Sequence, residues 1–464
     1  MLKTHDSSTN TVTSNTYDAV GNVLTSTDAL NHQTTYVYDA KNREIKTTDA
    51  LGNSTSKVYD IYDHVIKETD ALGNSKQTKY DVFGNVIREV DERGFKTEYK
   101  YNDNLQNIEI IDKKGNSSTF TYNKQGYLSK QTNQSGYSTL FEYDLYGQKV
   151  KETDPNGNIS TFEYDKLGNV VKETIPNKIT VHQYDELGRL ISTQENDVYK
   201  IQNTYNDKNQ VIESTNAMNY KTLYTYDIYG NVLTEDFAGY KTMNTYDLHQ
   251  NLIKKVENDL KTTTYTYNAL NQEIETKIND VIQTKNQYDA VGNIIYKYEE
   301  GVQTKYTYDK LNRQKEIYFN ELDDRSQYVL VGSYQYDETG NIIEVKDAYN
   351  HVVKRSYDAF NQLISETNAN GYTTKYAYDK VGNIAKVQDP KERVVEYLYD
   401  GNNNQIKKII NKKEAVYEYD ENNHMISSKD EYGLKEKYQY DIDGNLLSYT
   451  KNDGTTITEP ARPR

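Results

Sequence analysis

In the stretch Thr34-Thr35-Tyr36-Val37-Tyr38-Asp39, the residues Thr34, Tyr36 and Tyr38 occupy alternate positions, which puts them on one face of an extended strand. The same spacing returns at Thr97/Tyr99/Tyr101, Thr222/Tyr224/Tyr226, Thr263/Tyr265/Tyr267 and Thr304/Tyr306/Tyr308. β-Branched and aromatic residues favour a pleated, half-covered surface, so each stretch predicts a strand.

The strand-ending Tyr, followed by Asp or Asn, recurs through the chain. It stands at Tyr17, Tyr38, Tyr59, Tyr80, Tyr101, Tyr122, Tyr143 and Tyr164, and then at Tyr184, Tyr205, Tyr226, Tyr246, Tyr267, Tyr288, Tyr308, Tyr336, Tyr357, Tyr378, Tyr399, Tyr419 and Tyr440. The steps are twenty or twenty-one residues, with one of twenty-eight. A fixed period of this kind marks a repeat architecture, in which a unit covers its apolar face only against its neighbours.

After each Tyr comes a turn. Asp accepts a hydrogen bond from the backbone two residues on, and Gly three residues beyond the Asp supplies the left-handed conformation that closes a type I turn with a bulge. The signature is Tyr17, Asp18 and Gly21, then Tyr38 and Asp39, then Tyr80, Asp81 and Gly84, and Tyr164, Asp165 and Gly168. It continues as Tyr226, Asp227 and Gly230, Tyr288, Asp289 and Gly292, Tyr378, Asp379 and Gly382, and Tyr440, Asp441 and Gly444. Where Gly is missing, Asn usually takes its place, as at Asn42, Asn209, Asn271, Asn312, Asn361, Asn403 and Asn423. Asn is the other residue that tolerates positive φ, so this exchange supports the turn assignment.

Seven residues after the Tyr an aliphatic side chain almost always stands, as at Leu24, Ile45, Ile66, Ile87, Ile108, Val150, Val171 and Ile191, expected to anchor the return strand. Four residues further a second turn opens, as in Asp28-Ala29-Leu30-Asn31, Asp70-Ala71-Leu72-Gly73 and Asp154-Pro155-Asn156-Gly157. One period is therefore two short strands and two tight turns, an all-β antiparallel hairpin meander. Shortened steps rewrite the second turn, as in Ile175-Pro176-Asn177-Lys178, and the twenty-eight-residue step predicts a lengthened hairpin near residues 318–327. The expected organisation is an N-terminal lead-in or first edge strand over 1–14, a continuous array over 15–453 and a tail over 454–464.

Composition changes this picture little. Tyr numbers 47, Trp and Cys are absent, and mean hydropathy is -0.96. Such polarity ordinarily signals disorder, but the apolar residues here are phased, and Tyr combines a large apolar ring with a polar tip. The net charge of -15 argues against binding nucleic acid or anionic lipid. No apolar run approaches the roughly 20 residues of a membrane-spanning helix, and the first residues lack the pattern of a secretory signal. Without cysteine there is no disulfide framework, no thiolate metal site and no Cys nucleophile.

Catalytic motifs are equally scarce: neither a nucleophile elbow, a zincin helix, a Walker A loop nor a dinucleotide fingerprint occurs. His32, His64, His249, His351 and His424 fall in or beside turns where Asn is usual, and are read as exposed turn residues. The many Asp residues are accounted for as turn caps. Asp441-Ile442-Asp443-Gly444-Asn445 begins like a calcium loop, but the twelfth position is Asn452 where a Glu is needed. No catalytic residue, cofactor or metal ligand is assigned.

The string Y-D-x-x-G-N, an aliphatic residue, D-x-x-G about ten positions on and T-x-Y-x-Y-D closing the period resembles the YD-repeat or RHS-repeat family, in twenty-one copies from about Asn15 to Asp453. The resemblance is strongest to bacterial polymorphic toxins and wall-associated proteins. It implies hairpins wound as a spiral, curved sheet into part of a hollow shell that encloses an effector domain as cargo. It also implies a secreted or cell-surface, non-enzymatic module whose partner is the remainder of a larger polypeptide. The D-P-x-G-L string at which many such shells cleave themselves is absent; Asp154-Pro155 and Asp389-Pro390 sit in phase as second turns. About forty-two strands spaced 4.8 Å apart give a ribbon of roughly 200 Å, enough for one to two turns around a cavity. The alternative is an adhesive protein whose tyrosines stack on surface glycans, although Trp, the usual leader in that role, is missing.

Overall fold

A computed structural model describes residues 2–6, 11–320, 327–441 and 444–458. Among these residues forty-four strands join one antiparallel sheet and no helix forms. Chain neighbours pair, as Gln33–Tyr38 does with Glu44–Thr48 and Glu44–Thr48 with Ser54–Tyr59. Pairing continues through Thr456–Thr458, inside the stretch read as tail. The arms of the long hairpin are Gln314–Asn320 and Val329–Tyr336; its tip, 321–326, lies outside the described residues, as do 442–443 of the calcium-like string.

Contacts divide the chain into two compact units. One comprises Met1–Glu98, Thr225–Asn361 and Asn368–Asn370; the other comprises Tyr99–Tyr224, Gln362–Thr367 and Gly371–Arg464.

One register rule repeats in both. In the first unit Val37 faces Lys46 while Tyr38 faces Glu44, so Ile45 is the extra residue of a β-bulge. In the second, Glu163 faces Lys172 and Tyr164 faces Val170, leaving Val171 as the extra residue. The residue seven places after the Tyr, aliphatic in most repeats but Ser129 and Lys315 in two, is thus the bulge residue. A bulge increases local twist and leaves part of the ladder unpaired. The unpaired carbonyl is taken up one repeat later: the Tyr59 hydroxyl donates to Glu44 O at 2.8 Å, Tyr184 to Val170 O at 3.1 Å and Tyr288 to Glu273 O at 2.6 Å. Each such Tyr fastens its repeat to the one before, a role Phe cannot fill.

Second turns come in two forms. Long ones repeat the closure of the first turn, with Asp28 N donating to His32 O and Asn31 N to Asp28 O. Shortened ones are two-residue turns such as Asn279-Asp280, both at positive φ, with Ile278 facing Val281. This is the backbone shape that matches strand twist in a tight hairpin. The residue four places before the Tyr is then buried and small, as at Thr242, Thr263, Thr304 and Ala415.

The core is thin. Only Ala359 and Ala415 are buried apolar residues among those described, and no large side chain is fully enclosed. A single-layer sheet leaves side chains half-covered, so stability resides in cross-strand neighbours rather than a packed interior. On the face opposite the tyrosines, cross-strand ion pairs such as Lys151–Glu142 at 2.7 Å and Lys172–Glu163 at 2.9 Å lie exposed, where such pairs contribute at most about 1 kcal/mol.

Candidate functional site at the turn rims

The chemistry-bearing side chains gather on the two rims where the strands turn. In the first turn of the first repeat, Asp18 Oδ1 accepts from the backbone N–H groups of Val20, Gly21 and Asn22 at 2.8–3.0 Å, and Oδ2 accepts from Asn22 Nδ2 at 2.8 Å. These bonds, led by the Asn amide, hold Asp18 below the ordinary carboxylate value, and the same holds at Asp81, Asp165 and Asp227. At Asp39 the leading cause is the Arg43 guanidinium. Asp289, Asp379 and Asp441 cap their turns alike, each receiving the N–H of the residue four places on. Carboxylates so occupied have little acceptor capacity left for a substrate.

The signature glycines Gly21, Gly84, Gly168, Gly230, Gly292, Gly382 and Gly444 all take positive φ, between 82° and 102°. The seven Asn residues that stand in for Gly do so too, from Asn271 at 59° to Asn403 at 67°. Asp63, Gln250 and, against its preference, Leu105 also adopt it. Tyr17, Tyr38 and Tyr226 end their strands like the other signature tyrosines, while Tyr80, Tyr164, Tyr378 and Tyr440 donate to the carbonyls of Val65, Lys149, Leu363 and Met425.

Sequence reasoning saw Asn as usual five places after the Tyr but gave that position no role. Apart from Tyr127, it holds only Asn, Gln, His or Arg, all planar side chains with N–H donors. Most bond the Asp or Asn that opens their own turn or reach the next turn along the rim. Asn22 bonds Asn42 at 3.0 Å, Gln106 bonds Gly126 O at 2.8 Å, and Arg43 bonds Asp60 O at 2.8 Å. The same side chains lie over the next Tyr ring: Arg43 is 4.6 Å from the Tyr59 centroid, and His64 stacks on Tyr80 at 4.5 Å. His64 and His424 are therefore half-buried clips bonded through Nδ1 to Asp60 and Asp420, rather than exposed turn residues. His32 and His351 make the same bond in second turns. Restriction to N–H-bearing planar side chains was the available signal.

A second feature joins residues far apart in sequence. In the first unit the second-turn tip at Arg93 meets first turns some twelve repeats later: Arg93 Nη2 donates to Asn361 Oδ1 at 2.6 Å and to Ala359 O at 3.3 Å, and Nη1 lies 3.7 Å from Asp337. In the second unit, taken separately, Asn156 Nδ2 donates to Asp400 Oδ2 at 3.0 Å, Gly401 N to Asn156 Oδ1 at 3.1 Å, and Asn402 Nδ2 to Asp154 Oδ2 at 2.7 Å. Lys114 reaches Gln362 at 3.3 Å. In both units the second-turn rim of an earlier layer sits on the first-turn rim of a later one, 244 to 268 residues on. Burial pushes Asp154 and Asp337 upward, yet hydrogen bonds from Asn402 and Asn158, and from Asn341 and Thr339, outweigh it and both stay lowered.

The seam of the second unit encloses a polar groove of about 580 Å³ beside Asp154, Pro176, Lys178, Glu195 and His424. Its charges are matched internally, Lys178 lying 2.5 Å and Lys200 3.6 Å from Glu195. Among the described residues no three His, Asp or Glu side chains converge as a metal-binding group, and no helix could cross a membrane.

Neighbour-to-neighbour pairing, capped turns on both rims and a rim-to-rim seam define a β-hairpin repeat protein. The family model described as RHS Repeat matches residues 17–54, 38–75, 122–159, 143–180 and 357–394, so these parts of the chain are similar to RHS repeats. None of the curated proteins matches the sequence. Among solved structures, TcdB2-TccC3-TEV superposes with a TM-score of 0.70 at 15% identity, over 95% of this chain and 30% of that one. The Tc holotoxin pore of Photorhabdus luminescens gives 0.70 at 15%, over 95% and 29%. TcdB2-TccC3 without its hypervariable C-terminal region gives 0.70 at 14%, over 95% and 30%. The chain thus spans under a third of the length of the chains it resembles, and at these identities the likeness is one of fold.

Proposed function

We propose that the chain is a non-catalytic wall segment of a secreted or cell-surface toxin-type protein, forming part of a β shell around an effector domain. The observation that carries this reading is the seam found within each unit: hairpins are laid side by side, and layers are joined rim to rim by Arg93 in the first unit and by Asn156 and Asn402 in the second. The rim carboxylates fit the same reading, since they are consumed in holding turns and are not poised for proton transfer. Likeness of fold to TcdB2-TccC3 is consistent with it. The mechanism is sequestration, in which a curved wall keeps the cargo from folding or acting before release. To test it, an effector domain is joined to the array and compared with the same domain free. The reading requires slower protease digestion of the joined domain, and equal digestion defeats it.

A further inference from the structure

At the tightest part of the second unit's seam, neutral amides are set against carboxylates. Asn156 Nδ2 donates to Asp400 Oδ2 at 3.0 Å and its Oδ1 accepts from Gly401 N at 3.1 Å, while Asn402 Nδ2 donates to Asp154 Oδ2 at 2.7 Å. Asp154 and Asp400 also receive amides from their own turns, Asn158 and Asn404, both at 2.9 Å. Among the described residues neither carboxylate has a Lys or Arg partner. Asn156 is followed by Gly157, and that pairing has its own chemistry. Gly has no Cβ to hinder approach, so its backbone nitrogen is free to attack the side-chain carbonyl carbon of the Asn before it. A C–N bond forms, ammonia leaves, and water then opens the five-membered ring to aspartate or isoaspartate. The net change is amide plus water to carboxylate plus ammonium.

Asn156 and Gly157 are exposed, so water does not limit this reaction. Geometry does. Gly157 N is tied to Asp154 O at 3.0 Å, and both polar atoms of the Asn156 amide are held by the other layer, so its carbonyl carbon cannot swing onto that nitrogen. The chain carries its own control in Asn370-Gly371, the same dipeptide in the same kind of second turn. Gly371 has φ 80° against 92° at Gly157, and Asn370 N donates to Asn368 Oδ1 at 3.0 Å as Asn156 N does to Asp154 Oδ1 at 2.9 Å. Asn370 is exposed, and its side chain has no partner among the described residues. We propose that Asn156 is a deamidation site governed by the seam: the closed seam keeps it unreactive, opening frees it, and the product prevents reclosure. An aspartate there sets a carboxylate oxygen where Nδ2 now stands, 3.0 Å from Asp400 Oδ2, and two carboxylates so close do not both ionise. With no cation to offset them the turns part, and isoaspartate also lengthens the backbone of the tip. The step is therefore one-way. It concerns the wall itself and does not depend on what the wall encloses.

For the test, the full chain is incubated in mildly alkaline buffer and mapped by mass spectrometry for deamidation at residues 156 and 370. Asn370 is expected to react first, with Asn156 slower by roughly tenfold or more, since it reacts only in the opened fraction. In Gly401→Ala, which crowds the seam, deamidation at Asn156 should quicken by roughly 5- to 150-fold while Asn370 keeps its rate. Asn402→Ala removes the bond to Asp154 without crowding and should act in the same direction. In both variants Gly188 N, bonded to Asp185 O, should keep its hydrogen-exchange rate, which separates an opened seam from an unfolded chain. The product state is read in Asn156→Asp, where the amides of Gly401 and Asn403 should exchange faster than in the unaltered chain. Equal deamidation at Asn156 and Asn370 in the unaltered chain, or no gain at Asn156 in either seam variant, overturns the control by the seam. Unchanged exchange at Gly401 in Asn156→Asp overturns the one-way step.

Discussion

Gly401 is the sharpest point at which the seam can be perturbed. A Cβ placed on it meets Pro155 Cβ at 2.7 Å, Asn156 Oδ1 at 2.9 Å and the Pro155 carbonyl carbon at 3.2 Å. Two of these atoms belong to a proline-stiffened turn, so they cannot swing aside as a flexible side chain would. The residue does not need positive φ, unlike most glycines of the array, so Gly401→Ala introduces crowding without backbone strain. Overpacking of this kind costs about 1 to 3 kcal/mol. Global unfolding reports poorly on such a change, because a repeat array opens locally. Amide hydrogen exchange reads it directly: the closing bonds of the two tips, Gly157 N to Asp154 O and Asn403 N to Asp400 O, should exchange roughly 5- to 150-fold faster, at about 1.4 kcal/mol per tenfold. Gly188, which closes an uncovered first turn of the same unit on Asp185 O, should not change. Adding Pro155→Gly removes the nearest contact and should restore part of the protection. Unchanged exchange at Gly157 and Asn403 in Gly401→Ala would refute the close approach of these turns.

Tyr164→Phe leaves the Lys149 carbonyl without its 2.7 Å donor and should cost about 1 to 3 kcal/mol, read as faster exchange in the two hairpins it joins and not in distant ones. Leu105 holds a left-handed backbone at φ 59° while largely in solvent, so Leu105→Asn should stabilise that turn by about 1 kcal/mol, seen as slower exchange at the amide of residue 105, which bonds Asn102 O. The turn aspartates Asp18, Asp81, Asp165 and Asp227 have folded-state values below the unfolded 3.8. Their contribution is therefore fully present above that value and lost as pH falls through the folded ones. Rim protection should stay level from pH 8 to about pH 5 and decline below about pH 4; a decline centred near neutrality would contradict the assignment.

How far the sequence speaks can be judged from particular positions. The exchange of Gly for Asn at residues such as Asn42 and Asn312 identified the left-handed turn position because a backbone requirement filters residue type locally. The alternation at Tyr36 and Tyr38 identified the strands for the same reason. Ile45 was visible as a recurrent aliphatic residue, but its bulge depends on which partner it skips, and an anchor and a bulge residue look alike in sequence. The rim donors at Asn22, Arg43 and His64 were in plain view, yet four residue types in one role conceal a position unless their shared planar N–H geometry is noticed. The seam was beyond reach. Contacts 244 to 268 residues apart depend on curvature accumulated over about twelve repeats, and nothing within a twenty-one-residue period encodes that sum.

The central claim is that the hairpin ribbon returns on itself with the second-turn rim of one layer seated on the first-turn rim of the next. A chain without cysteine allows a clean test in the double variant Pro155→Cys/Gly401→Cys. The two Cβ positions, 2.7 Å apart as placed, need ease only to the 3.5–4.5 Å of a disulfide. Mild oxidation at low protein concentration should give a single intramolecular bridge, seen as faster migration without reductant and as one linked peptide pair by mass spectrometry. Free thiols, or bridges only between molecules, would mean that these turns do not meet and that the layered wall is wrong.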